Sequence, residues 1–146
     1  MNLKRYKLIA GQQDDQYEFL SEGPKGEIRK VIHYHLIGEN MYNLGFGDWD
    51  EVNEEVNDKS RSNNDDREKI LATVADSVVL FMQSHPYATV FAQGETPAKT
   101  RLYQMAINRE WAAISKSYKI KGFYMGSWEE FTSAKNYDAF TLEIHQ

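Results

Sequence analysis

Apolar and polar residues alternate with a period of two through most of the first fifty positions, recur at helical spacing in two later blocks, and alternate again near the end. Residues 3–9 (LKRYKLI) and 16–20 (QYEFL) predict two short strands. The sequence Gly23-Pro24-Lys25-Gly26 predicts a tight reversal. The β-branched and aromatic run 27–37, EIRKVIHYHLI, predicts a long strand pairing back through that turn. Gly38 and Asn40 break the pattern, and 41–47 (MYNLGFG) predicts a further strand. Residues 48–64 are acidic, rich in Asn and poor in apolar groups, and predict a mobile loop.

Asp65 and Glu68 then have the spacing of a capping box. The helix they open runs to about Ser84, with Ile70, Leu71, Val74, Val78, Phe81 and Met82 on one stripe. Pro86 stops it. Residues 88–93 (ATVFAQ) predict a short strand ending at Gly94. A second helix starts at Pro97 and carries Tyr103, Ile107, Trp111, Ile114 and Tyr118 on one face, with Asn108 as a place to kink or re-cap. A strand through Gly122 (KIKGFYM), a loop or helical turn at 128–135 and a last strand at 138–144 complete the chain.

The expected fold is therefore α+β: a mostly antiparallel twisted sheet of about six or seven strands with two main helices, in the order β-β-β-β-α-β-α-β-β. The β-α-β stretch at 88–124 offers a place for two neighbouring strands to run parallel. A chain of 146 residues, 41% hydrophobic and 13% aromatic, suits a single domain over 1–146 with one core. It contains no cysteine, which removes disulfides, thiolate catalysis and cysteine metal sites together. No apolar run reaches the length of a membrane span, and the apolar stretch near the N-terminus is too short for a signal peptide. The expected location is cytoplasmic, with no membrane partner.

The net charge of −5 is unevenly spread. Residues 48–58 hold six acids and no base, whereas 97–121 hold six bases against one acid, Glu110. An acidic chain disfavours extended duplex nucleic acid as a partner but leaves room for a small anion site. The strongest candidate is the strand-to-helix junction 94–105, GETPAKTRLYQM. Thr96 suits the N-cap and Pro97 the first helical position. Lys99 and Arg101 follow in the first turns, where the helix dipole favours acids instead. Two cations there point to an anion in front of the helix, which is either a ligand or an Asp or Glu of the fold itself. Thr96, Lys99, Thr100 and Arg101 form the candidate cradle. Tyr103 and Gln104 follow directly, although Tyr103 also opens the apolar stripe. Trp49, a large apolar group in a polar segment, joins them as a candidate contact. His33 and His35 share a strand face, but no carboxylate spacing completes a metal site, and the acidic run lacks the spacing and interior glycine of an EF-hand. No P-loop, dinucleotide fingerprint or nucleophile elbow is present. No cofactor or metal is expected.

The run GETPAKTRLYQM, with LGFGDWDE upstream and KNYDAF downstream, resembles a domain family of unknown function found mainly in Bacteroidetes, whose members show a Gly-Ser-Thr-Pro-Ala-Arg-Thr-Arg-Leu-Tyr-Gln-like run. Here Glu95 stands in place of Ser, and Lys99 in place of the first Arg. The architecture is also similar to the core of the N-acetyltransferase superfamily, with Leu102-Tyr103 and Gly122-Phe123 at the places of its "LY" and "GF" pairs. That likeness implies two strands, at 41–47 and 88–93, splayed apart to admit a pantetheine arm. The turn where those enzymes hold pyrophosphate is here SNNDDRE, which has carboxylates and no glycine. The leading expectation is a non-enzymatic binding module with an anion site at the start of the second helix. Its partner would be a phosphate-bearing ligand, a nucleic-acid end or an acidic protein segment. The alternative is an acyltransferase-like enzyme with a remodelled acetyl-coenzyme A site.

Overall fold

A computed structural model describes residues 5–11, 15–57 and 64–145. Among them the strands are β1 (Ile9–Ala10), β2 (Gln16–Gly23), β3 (Gly26–Gly38), β4 (Met41–Asp50), β5 (Glu55–Asn57), β6 (Thr89–Ala92), β7 (Tyr118–Tyr124), β8 (Ser127–Glu130) and β9 (Ala139–Ile144). The helices are α1 (Arg67–Ser84), α2 (Pro97–Arg109) and the single turn α3 (Trp111–Ile114). One sheet runs β1-β2-β3-β4-β6-β9-β7-β8, with β5 paired to the far end of β4. The fold is α+β and mostly antiparallel, as expected, with more strands than the hydrophobic pattern shows and a third short helix.

Where structure and expectation differ, the causes are local. The strand expected at 3–9 shrinks to Ile9–Ala10 (residues 3 and 4 lie outside the described chain). Arg5 and Tyr6 leave the sheet for α1. The Arg5 guanidinium donates to the Ala72 carbonyl and Asp76, both at 2.8 Å, and the Tyr6 N–H donates to Thr73 Oγ1. The mobile loop expected at 48–64 is largely strand where it is described, because β4 continues to Asp50 and β5 pairs back on it with Trp49 opposite Val56. The loop or turn expected from 128 begins as β8, reached through a two-residue reversal in which Met125 and Gly126 both take positive φ. The capping box does not form. Asp66 is the N-cap and makes no side-chain cap. Its carboxylate instead accepts hydrogen bonds from Tyr6 and Ser21, both at 2.5 Å, and Glu68 pairs with Arg109 at 2.9 Å.

The parallel pair is also not at 88–124. β9 inserts between β6 and β7, so those two strands are not neighbours. The parallel contact is β4 with β6, from Met41 opposite Thr89 to Leu44 opposite Ala92, with α1 as the crossover.

Strand alternation sorts side chains onto two faces. Phe19, Ile32, Tyr34, Leu44, Phe46, Val90, Phe140, Leu142 and Ile120 share one face and are buried with the apolar stripes of α1 and α2. Tyr34 stacks on Phe81 of α1 with centroids 4.1 Å apart. Its hydroxyl shares a 2.8 Å hydrogen bond with Ser77, and burial pushes its ionisation well above the usual tyrosine range. Ring contacts from Trp111 of α3 through Phe131 to Phe140 complete the same layer. The helices thus cover one side of the sheet. On the other side His33 lies across Gly45, its register partner, where a Cβ would come within 2.0 Å of the imidazole. His35 sits beside it, with ring centroids 4.4 Å apart.

Candidate functional site

The junction between β6 and α2 folds as its sequence predicts. The Thr96 side chain accepts from the Lys99 N–H at 3.2 Å, and Pro97 occupies the first turn. Thr100 is buried and points back. Its hydroxyl accepts from the Gly94 N–H at 3.0 Å and donates to the Thr96 carbonyl at 3.2 Å. Gly94 is required for this closure, because a Cβ there would meet Lys99 Cβ and the Thr100 nitrogen at 2.5 Å.

The two cations part company. Lys99 is only 8% exposed and runs beneath the helix start, where its ammonium donates to the Phe46 carbonyl. It also lies 4.5 Å from the centroid of the Phe46 ring. Lys30 of β3, 4% exposed, approaches the same ring at 5.8 Å and donates to Asp48. Two buried ammonium groups therefore converge on one aromatic ring. They do so at the stretch of β4 between its pairing with β6, which ends at Leu44, and its pairing with β5, which begins at Asp48. Arg101, in contrast, is exposed, and among the described residues it takes part in no ion pair.

Tyr103 is buried in the core beneath α2. Gln104, 4% exposed, uses both ends of its amide on the segment leading into β9. Its Nε2 donates to the Lys135 carbonyl at 2.5 Å, and its Oε1 accepts from the Tyr137 N–H at 3.0 Å. Tyr137 packs over Gly122 and donates its hydroxyl to Glu129 at 3.0 Å. Glu129 also accepts from Lys135 at 2.9 Å, and this lysine contact holds its carboxyl below the usual glutamate range. Trp49 lies on the opposite face of the sheet from Lys30 and Phe46. Its ring receives the Arg29 guanidinium at 4.6 Å, and that guanidinium also makes a two-point contact with Glu18 at 2.7 and 2.9 Å.

The structure thus places Thr96, Lys99 and Thr100 at the helix start, leaves Arg101 exposed two residues further on, turns Tyr103 and Gln104 inward, and keeps Trp49 on the opposite face of the sheet. Lys30 is the member of this corner that charge counting passed over. Its signal was available: it falls in phase with Ile28, Ile32 and Tyr34, so a lysine occupies an inward position of a strand. Among the described residues no group of three or more His, Asp or Glu is placed to hold a metal ion. Nor is any described helix long and apolar enough to cross a membrane.

The chain belongs to a family of unknown function, DUF6934, whose model matches residues 2–145. No curated protein and no solved structure shows a significant match to it.

Proposed function

We propose that this domain is a binding module that recognises an anionic group at the corner where α2 begins, without carrying out chemistry on it. The observation that carries this reading is the convergence of Lys30 and Lys99 on Phe46 under the helix start, with Arg101 exposed on the same element. Desolvating an ammonium costs several kcal/mol unless its surroundings compensate; here Lys30 has the Asp48 carboxylate beside it, and Lys99 has the Phe46 carbonyl and ring. Arg101 supplies the planar fork suited to a phosphate or carboxylate, and the N-terminal end of α2 adds its dipole.

The pairing of β4 with β6 weighs for binding over acyl transfer. β6 is paired to β4 at all four of its residues, and past Leu44 the edge of β4 is met by Lys99. A pantetheine arm would need that edge to stand open.

The test is a thermal-shift and titration series with pyrophosphate, nucleoside triphosphates and acetyl-coenzyme A as probes. A ligand that binds only the folded state raises the melting temperature by mass action. Arg101→Ala is expected to abolish the shift while leaving the melting temperature of the free protein unchanged. Equal melting temperatures with undiminished binding would overturn the assignment of Arg101. A shift with acetyl-coenzyme A alone, accompanied by acetyl transfer to an amine, would favour the enzyme instead.

A further inference from the structure

The side of the sheet that no helix among the described residues covers has its own chemistry, independent of the α2 corner. Three aromatic side chains from three strands meet there. Trp128 of β8, 42% exposed, lies 5.1 Å from Phe123 of β7 and 6.2 Å from Phe91 of β6, measured between ring centroids. The register extends the patch. Phe91 stands opposite Thr141 of β9, which stands opposite Lys121 of β7. Lys119 lies two residues before Lys121 and therefore on the same face, about 7 Å along the strand. Among the described residues neither lysine takes part in an ion pair. Two carboxylates share the face. Glu143 stands opposite Lys119 and accepts from the Thr89 hydroxyl at 3.3 Å, and Glu130 stands opposite Lys121.

A sheet with no helix over this side would ordinarily carry polar residues outward. A cluster of aromatic rings with lysines beside it is instead the combination that holds single-stranded nucleic acid: base faces stack on the rings and lysines meet the phosphates. A duplex hides its base faces and gains nothing from the rings. Glu130 adds an acceptor of the kind that takes an exocyclic base amine. We propose that the face formed by β6, β9, β7 and β8 is a stacking platform for single-stranded nucleic acid, with Trp128, Phe91 and Phe123 as the base contacts and Lys119 and Lys121 as the phosphate contacts.

The experiment is fluorescence anisotropy with a labelled mixed-sequence 12-nucleotide single strand, as DNA and as RNA, and with its duplex, across a salt series. Saturable binding of the single strand, weaker binding of the duplex and an affinity that falls with salt are expected. Trp128→Ala should weaken binding roughly ten-fold to a hundred-fold, and Trp128→Phe should restore most of it. Lys119→Gln and Lys121→Gln should each lower the salt slope by about 0.7. Melting curves of each variant separate lost binding from lost folding, and the phenylalanine variant keeps the test decisive if the alanine variant unfolds. Trp128→Ala should leave the thermal shift given by pyrophosphate unchanged, so failure here and failure at the α2 corner are distinguishable. Equal binding of single strand and duplex, or binding indifferent to all these substitutions, would overturn the proposal. So would a dimer in sedimentation that Trp128→Ala dissolves while the oligonucleotide goes unbound, because the face would then be an interface between copies of the chain.

Discussion

Replacing Gln104 by leucine separates a structural residue from a ligand contact at the same helix face. The substitution keeps the approximate volume and the apolar stem but removes both ends of the amide. Two backbone groups then lose their partners: the Tyr137 N–H, held at 3.0 Å, and the Lys135 carbonyl, held at 2.5 Å. Gln104 is 4% exposed, so water has little access to replace it. A buried polar group left unpaired costs about 1–3 kcal/mol. Two such groups, one of them nearer the surface, give an expected loss of about 2–5 kcal/mol. A domain of this size loses roughly 2–4 °C of melting temperature per kcal/mol, so the midpoint should fall by roughly 5–15 °C in circular dichroism. Gln104→Glu is the informative companion. It keeps an acceptor for the Tyr137 N–H but sets a carboxylate against the Lys135 carbonyl, and it should also destabilise. A leucine variant that melts within 2 °C of the parent, by an order-of-magnitude reckoning well inside the cost of even one orphaned group, would refute the structural role. Gln104 would then return to the set of residues free to meet a ligand.

Three further outcomes test the same framework. Gly122→Ala should destabilise by about 1–3 kcal/mol, because its Cβ would stand 2.3 Å from the Tyr137 ring, and the ring cannot move without loosening its contacts to Glu129 and Thr132; an unchanged urea midpoint would show that the ring yields freely. Thr100→Val, isosteric but without the hydroxyl, should lower stability by about 1–2 kcal/mol by orphaning the Gly94 N–H, read as the midpoint of denaturant unfolding. The Glu129 carboxyl sits below its ordinary range because Lys135 donates to it. Its contribution is therefore complete above the unfolded value of about 4.3 and is lost as pH falls through the lower folded value. Melting temperature followed from pH 6 down through that acid range should fall less steeply in Glu129→Gln than in the parent, and parallel curves would count against the pairing.

What could be seen in the sequence depended on how far the cause of each element lies along the chain. The β2–β3 hairpin is fixed by Gly23-Pro24-Lys25-Gly26 and by alternation on both sides, and it forms with Gly23 opposite Gly26. The α2 start is equally local, since its cap and its proline are adjacent residues. The α1 cap failed because Asp66 is held by Tyr6 and Ser21, respectively 60 and 45 positions away. β5 was hidden because an acidic segment pairs on the strength of an edge that β4 provides. The fate of Lys99 was out of reach for the same reason: its partner carbonyl is 53 residues distant. The six bases at 97–121 share no one face: Lys99 goes inward, Arg109 joins Glu68 and Lys121 faces the opposite side of the sheet. Charge counting along the chain cannot see which side of a sheet or helix a residue takes, whereas the alternation of β3 already marks Lys30 as inward.

The two lysines at Phe46 explain why β4 is the strand on which the rest of the fold turns. Along its length this strand changes partner on one edge, from β6 at 41–44 to β5 at 48–50. Between those pairings, among the described residues, no strand pairs with this edge. Lys99 provides a donor there, at the Phe46 carbonyl. A neutral donor would do so at far lower desolvation cost, since the penalty for an ammonium is several kcal/mol and that for an amide is smaller. The charged donor at 99 stands on the first turn of its helix beside a second buried ammonium and the Asp48 carboxylate paired with it. The function proposed above adds an external anion to this cluster, with Arg101 exposed on the same helix. Lys99→Gln should accordingly preserve or raise the melting temperature while weakening any anion that shifts the parent. A matching loss of stability and binding would instead assign the lysine to the fold.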